Sequence, residues 1–115
     1  MSADYVIVGS TTDSEAAALE LAAAAVEAKL AACAQILGPL TSVFRWEGEV
    51  QTESEWRVEM KTAADRAETL VEYIETHHAY DFPEIVVTPI VAGSAQYLAW
   101  IAAETRGQGA ERRTG

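Results

Sequence analysis

The chain has 115 residues and a net charge of −10 at pH 7, and half of its residues are hydrophobic. This length fits one domain, because domains most often contain about 100–150 residues, and the apolar content excludes a wholly disordered chain. The acidic charge makes nucleic acid and anionic membranes poor partners, since both attract proteins largely through Lys and Arg.

The first predicted elements are a strand and a helix. The apolar, β-branched stretch at residues 5–8 predicts a buried strand that ends in a loop at residues 9–12. Thr12 and Glu15 have the spacing of a capping box, so a helix is expected to begin there. The alanine-rich sequence that follows favours a helix to about Ala32.

The middle of the chain predicts two long strands joined by a tight turn. Apolar and polar side chains alternate over residues 50–61, as in a half-buried strand, and residues 41–46 form the other arm. Glu47 and Gly48 can make a two-residue hairpin turn. Two arms of about twelve residues reach about 40 Å, beyond a compact domain that is about 35 Å across. We therefore expect the hairpin to project and another chain to cover its apolar side chains.

Three further elements complete the chain. Helical periodicity returns after Thr62 and predicts a helix that ends before Pro83. A strand is expected at residues 84–88, and it should weaken or lie at a sheet edge at Pro89, which has no N–H to donate. A last helix is expected to begin at residues 93–94.

This order of elements is typical of an α+β, ferredoxin-like split βαβ fold with a long projecting hairpin. We expect the domain to occupy residues 1–105. Residues 106–115 lack periodicity and are expected to form a disordered tail. Because many functions share this fold, candidate sites have to decide among them.

Few residues have the chemistry of a metal or catalytic site. Cys33 is the single cysteine, so no internal disulfide can form, and a cytoplasmic, reducing location is expected. Cys33 is either a buried apolar residue or a ligand, and His77 and His78 either cap a helix or bind a metal. None of the three has the spacing of a known metal motif. No nucleophile can be grouped with a base and an orienting residue, so an enzyme is not expected.

The predicted hairpin also carries several carboxylates. Their alternation with apolar residues is typical of a solvated strand face, and weak attraction of divalent cations is the alternative. The residues concerned are Glu47, Glu49, Glu53, Glu55 and Glu59.

A candidate ligand cleft includes Lys61, which ends the polar face of its strand. The topology brings Tyr80, Asp81 and Glu84 near it, and a cation among acids and aromatic rings is typical of an anion or zwitterion pocket. Structural ion pairing is the open alternative. Trp46 is included in this cleft, with packing in a core or a subunit interface as its alternative. The rival functional hypothesis is a small enzyme that uses Lys61, Tyr80 and Glu84.

Several segments resemble, in order and spacing, the CutA family of divalent-cation tolerance proteins: residues 30–34, 41–48, 61–62, 78–85 and 97–101. The Trp-Glu-Gly turn and the Tyr-x-x-Pro-Glu segment are the most specific of these, and the resemblance covers about residues 5–103. It implies a ferredoxin-like subunit in a homotrimer whose hairpins wrap the neighbouring subunits, similar to the PII signalling proteins. It also implies a non-enzymatic role in tolerance of divalent metals, copper above all.

The same resemblance implies a set of metal ligands. Cys33 and His77 are the expected ligands, and copper, another divalent cation or a small ligand is expected near the subunit clefts. Some family members carry a cysteine where this chain has Ser10. Because thiolates select soft metals, we expect copper binding here to be weak and only modestly selective.

Overall fold

The computed structural model describes residues 3–106, which form one antiparallel sheet and three helices. The strand order in the sheet is β2-β3-β1-β4, and each neighbouring pair is antiparallel. The α+β order predicted from the sequence is therefore confirmed. The elements are β1 (Tyr5–Thr12), α1 (Glu15–Glu27), β2 (Cys33–Trp46), β3 (Glu49–Ala63), a 3-10 turn (Ala64–Arg66), α2 (Ala67–His77), β4 (Ile85–Ile90) and α3 (Ala95–Glu104).

Strand β1 is longer than predicted. Residues 9–12, which the sequence predicts as a loop, continue the strand because each of them pairs with β3. Gly9 lies opposite Glu59, and Thr12 lies opposite Trp56. The end of β1 therefore reaches the middle of β3.

Helix α1 begins after Ser14, two residues later than predicted. The Ser14 hydroxyl accepts a hydrogen bond from the Ala17 N–H at 3.1 Å and so caps the helix. The helix ends at Glu27 rather than near Ala32, because Lys29 has a positive φ of 63° and turns the chain toward β2. The small residues of α1 face the sheet.

The core lies between one face of the sheet and helices α1 and α2. It contains side chains from all of these elements, among them Val8, Val58, Met60, Leu70 and Ile74. Helix α3 packs on the other face, since its Tyr97 meets Cys33, whose neighbour Ala34 packs on the core. No helix within residues 3–106 is long and apolar enough to cross a membrane.

Strands β2 and β3, of 14 and 15 residues, form the predicted hairpin. Glu47 and Gly48 both have positive φ, 50° and 81°, as a type I′ turn requires. Because β1 ends opposite Trp56, residues 49–55 of β3 extend past it with β2 as their sheet neighbour. The longest dimension of the chain is 52 Å, against 28 and 21 Å in the other directions. The hairpin therefore projects as predicted.

The last two elements also follow the sequence. Within residues 3–106, strand β4 pairs only with β1 and lies at the sheet edge, as Pro89 predicts, although it continues to Ile90. Helix α3 begins after Ser94, whose hydroxyl accepts the Tyr97 N–H at 3.3 Å. The predicted tail lies outside the described residues, apart from Arg106.

We predict that Gly38→Ala destabilises the hairpin. Gly38 lies at a break in the β2–β3 register, and a Cβ there would stand 2.5 Å from Cδ1 of Trp56. We expect the free energy of unfolding to fall by about 1–3 kcal/mol, as is usual for overpacking. Urea denaturation at a fixed protein concentration measures the change.

Gly93→Ala is the matched control, because a Cβ at Gly93 would lie 3.4 Å from the side chain of Leu98, an ordinary contact. We expect this variant to stay within about 0.5 kcal/mol of the unmodified protein. Equal losses in both variants would show that the contact with Trp56 is not the cause.

Candidate functional site

An open cavity of about 190 Å³ lies where the end of β1, the first half of α1 and the end of α2 meet. Both histidines of the chain line it, together with the carboxylates of Asp13 and Glu20. The extension of β1 to Thr12 and the end of α2 at His77 bring these groups to one end of the fold.

His77 is exposed and is the last residue of α2. Its Nδ1 lies 2.8 Å from the Tyr73 carbonyl oxygen, and the two rings stack with centroids 4.0 Å apart. A carbonyl oxygen only accepts hydrogen bonds, so Nδ1 carries a proton. In the neutral ring Nε2 then has a free lone pair, which can bind a metal.

Cys33 is half-buried at the start of β2. Its Sγ lies 3.3 Å from the hydroxyl oxygen of Tyr97. This hydrogen bond, with a smaller contribution from burial, raises the pKa of Tyr97. Cys33 is therefore neither a fully buried apolar residue nor a freely exposed thiol.

The two predicted metal ligands lie far apart within one chain. Cys33 lies opposite Lys61, and Lys61 lies opposite Ile7 of β1, whereas His77 lines the cavity beside Thr12. Five residues along a strand separate these two positions on β1, which is about 17 Å. Within residues 3–106, no three His, Cys, Asp or Glu side chains are grouped so that they could hold a metal ion. The assignment of Cys33 and His77 as metal ligands stays a prediction.

Ser10 is fully buried in β1, and its hydroxyl donates to the Glu84 carbonyl oxygen at 2.8 Å. Strand β3 separates β1 from β2 in the sheet. A thiol at position 10 would therefore not meet Cys33 of the same chain.

Within one chain, the residues of the predicted ligand cleft do not all lie together. The Lys61 ammonium donates to Oε1 of Gln35 at 2.7 Å, whereas the Glu84 carboxylate pairs with Arg57 at 3.2 Å. Arg57 and Lys61 are four residues apart on β3, about 13 Å along the strand. Lys61 and Glu84 therefore do not converge as the enzyme hypothesis requires.

The segment after α2, residues 78–84, brings the other predicted cleft residues to the hairpin. The Tyr80 hydroxyl donates to the Glu55 carboxylate at 2.8 Å, and the ring centroids of Trp46 and Phe82 are 6.3 Å apart. Asp81 is exposed in the same segment. Burial, together with the hydrogen bond to Glu55 and its charge, raises the pKa of Tyr80 well above its ordinary value of 10.0.

The carboxylates of the hairpin do not all lie on a solvated face. Glu55 exposes only 9% of its surface, because Tyr80 covers it. Arg57, on the same strand, is held by Glu84. Neither role could be predicted from the sequence, because alternation along a strand carries no information about which loop packs over it.

The fold and the site define a small acidic α+β protein with a projecting hairpin, in which the histidines and the cysteine lie in separate parts of the fold. The sequence profile of the CutA1 divalent ion tolerance proteins matches residues 6–104. The chain is also 40% identical over 103 residues to the divalent-cation tolerance protein CutA of Citrobacter koseri, with 90% of each chain covered.

Solved structures agree with this match. The divalent cation tolerance protein of Thermus thermophilus is 39% identical with a TM-score of 0.85, over 89% of this chain and 99% of that one. CutA1 from Oryza sativa is 35% identical with a TM-score of 0.87, over 91% and 96% of the two chains. The chain belongs to the CutA1 family of divalent ion tolerance proteins.

We predict that Tyr80 keeps its proton to unusually high pH. Because its pKa in the folded chain is raised, its contribution to stability is complete below pH about 10 and is lost as the pH rises further. Absorbance titration of the phenolate, as the difference between the unmodified protein and Tyr80→Phe, measures this pKa.

Glu55→Gln is the control for the cause of that shift. It removes the neighbouring negative charge, so we expect the pKa of Tyr80 to fall, while burial, the largest cause of the shift, keeps it above its ordinary value. A Tyr80 that titrates normally in the unmodified protein would contradict the contact with Glu55.

Proposed function

We propose that the chain is a ferredoxin-like subunit of a cytoplasmic homotrimer that supports divalent-cation tolerance without catalysing a reaction. In this proposal, copper, another divalent cation or a small ligand binds weakly in clefts between the subunits, and the trimer has a PII-like regulatory role. The family to which the chain belongs supports the link to divalent cations. The single cysteine supports a reducing compartment.

The main observation that supports the proposed trimer is the apolar surface on the projecting part of the hairpin. Val43, Phe44, Trp46 and Val50 each expose between 39% and 66% of their surface. Isolated apolar residues are common on protein surfaces, but a group of them on a projecting strand pair favours association. Strand β2 also has a free edge in the sheet, which soluble proteins usually cover.

A second apolar surface lies on a different part of the chain. Val86 of β4 and Tyr97 and Trp100 of α3 are between 41% and 51% exposed. When one surface of a subunit contacts a different surface of the next, the contact is heterologous and can close into a ring. The hairpin of each chain packed on this second surface of its neighbour fits such a ring.

The cation site in this proposal needs donors from more than one subunit. One chain offers Nε2 of His77 and the thiol of Cys33, whose positions differ by about five residues of strand, or about 17 Å, in the direction of β1. Tight, selective sites for transition metals generally need three or four converging ligands. A trimer can bring such groups together at its clefts.

The rival enzyme hypothesis gains no support from the described residues. Lys61 donates to Gln35 of β2, whereas Glu84 pairs with Arg57, which lies four residues from Lys61 on β3. With a net charge of −10, nucleic acid and anionic membranes are not among the proposed partners.

We predict that the protein sediments with three times the mass of the 12.4 kDa chain. Trp46→Asp should weaken the assembly, because it places a charge in the apolar hairpin surface. Leu19→Asp is the matched control, since Leu19 is 60% exposed on α1 and away from the hairpin. Analytical ultracentrifugation at several concentrations measures both, and a 12.4 kDa species at micromolar concentration would contradict the trimer.

We predict weak binding of Cu²⁺ that depends on both proposed ligands. His77→Ala and Cys33→Ser should each lower the affinity by at least about tenfold, because imidazole and thiolate are the donors that suit copper. Calorimetric titration of the trimer measures the affinity, and Glu75→Gln on α2 serves as the control for a general loss of charge. Submicromolar binding that persists in the Cys33→Ser, His77→Ala double variant would place the site elsewhere.

A further inference from the structure

His78, the residue after α2, has both ring nitrogens in hydrogen bonds. Its Nε2 lies 2.7 Å from the Thr11 carbonyl oxygen, which can only accept, so Nε2 carries a proton. Its Nδ1 lies 3.0 Å from the backbone nitrogen of Tyr80, which can only donate, so Nδ1 carries a lone pair. Together these contacts require a neutral imidazole in the Nε2–H tautomer.

The adjacent His77 has the opposite requirement. Its Nδ1 donates to the Tyr73 carbonyl oxygen, so the neutral ring is the Nδ1–H tautomer with a free lone pair on Nε2. These are the two histidines of the chain. The structure thus gives each of them a distinct tautomer and a distinct role.

The hydrogen bonds of His78 are part of a series of hydrogen bonds that links β1 to β3. The Thr11 carbonyl of β1 accepts from His78, His78 accepts from the Tyr80 N–H, and the Tyr80 hydroxyl donates to Glu55 of β3. The rings of His78 and Tyr80 also pack with centroids 4.8 Å apart. All of these groups are buried or half-buried, where unpaired polar atoms are costly.

This series of hydrogen bonds ends at Glu55, on the hairpin. Pairing between β1 and β3 stops at Trp56, and Glu55 is the next residue outward. Glu55 is thus the first residue of the projecting half of β3. The contact with Tyr80 attaches that half to the end of β1 at the point where sheet pairing no longer does so.

We propose that His78 is a positioning residue that, as the neutral Nε2–H tautomer, fixes residues 78–84 and through Tyr80 holds the base of the projecting hairpin. Both of its nitrogens are occupied in this role. Of the two histidines, His77 is therefore the one that has a lone pair to offer a cation.

The first test reads the tautomers directly in the unmodified protein. Two-bond ¹⁵N–¹H correlations of the imidazole rings, recorded well above the ordinary histidine pKa of about 6.5, identify the protonated nitrogen, and His77→Gln assigns the signals. We expect the Nε2–H tautomer for His78 and the Nδ1–H tautomer for His77. The Nδ1–H form or a mixture of forms at His78 would overturn the proposal.

The second test separates the two hydrogen bonds of His78. In His78→Asn the side-chain oxygen can still accept the Tyr80 N–H as an Asx turn does, whereas His78→Ala loses this bond. We expect hydrogen exchange of the Tyr80 amide to be about tenfold faster in His78→Ala and close to normal in His78→Asn. Equal exchange in His78→Ala and the unmodified protein, or equal acceleration in both variants, would contradict the role of Nδ1.

The third test asks whether His78 acts on the hairpin through Tyr80. Tyr80→Phe should speed amide exchange in residues 53–57 about as much as His78→Ala does. The backbone amide of residue 80 should still exchange slowly in Tyr80→Phe, because His78 still accepts its hydrogen bond. His77→Ala is the control and should change neither region. Faster exchange of residues 53–57 in His78→Ala but not in Tyr80→Phe would exclude this route. The protein carries no added metal in these experiments, so weak or absent cation binding does not alter the result.

Discussion

The structure depends on the long antiparallel pairing of β2 with β3, which continues past the point where β1 ends. From Arg57 to Lys61, β3 is paired on both sides, and its apolar residues Val58 and Met60 are fully buried. Over residues 49–55 it has only β2 beside it in the sheet, and Val50 is 64% exposed. One alternating pattern thus forms a core in one half of the strand and an apolar surface in the other. The mismatch in strand length is the physical reason to propose assembly with further copies.

The order of elements was predictable because each element carries a local signal, such as the period of two in residues 50–61 or the missing N–H of Pro89. Element boundaries were less predictable. Thr12 and Glu15 have a capping-box spacing, yet Thr12 is held in β1 by its pairing with β3, so Ser14 caps the helix instead. Pairing between strands distant in sequence decided this boundary, and local spacing does not record such pairing.

The sequence indicated which residue types the candidate site contains, but not which of these residues contact one another. Topology alone places Lys61 and Glu84 in one region, whereas the strand register sets Glu84 beside Arg57, four residues along β3 from Lys61. Register depends on which β3 residue faces which β1 residue, and a charge on the polar face does not specify it. Glu55 shows the same limit, because its burial arises from a loop that reaches it from twenty-five residues away in the sequence.

The two histidines show how one backbone change determines chemistry. His77 ends α2, so its Nδ1 meets the carbonyl oxygen four residues earlier, whereas His78 has left the helix with φ −79° and ψ 144° and turns toward β1. Adjacent residues of the same type are therefore held in opposite tautomers, and one of them retains a free lone pair. The single thiol of the chain, Cys33, begins β2, which β3 separates from β1 in the sheet. Since a single chain separates the imidazole and the thiol that suit copper, the proposed selectivity for a cation has to come from the proposed assembly of several copies.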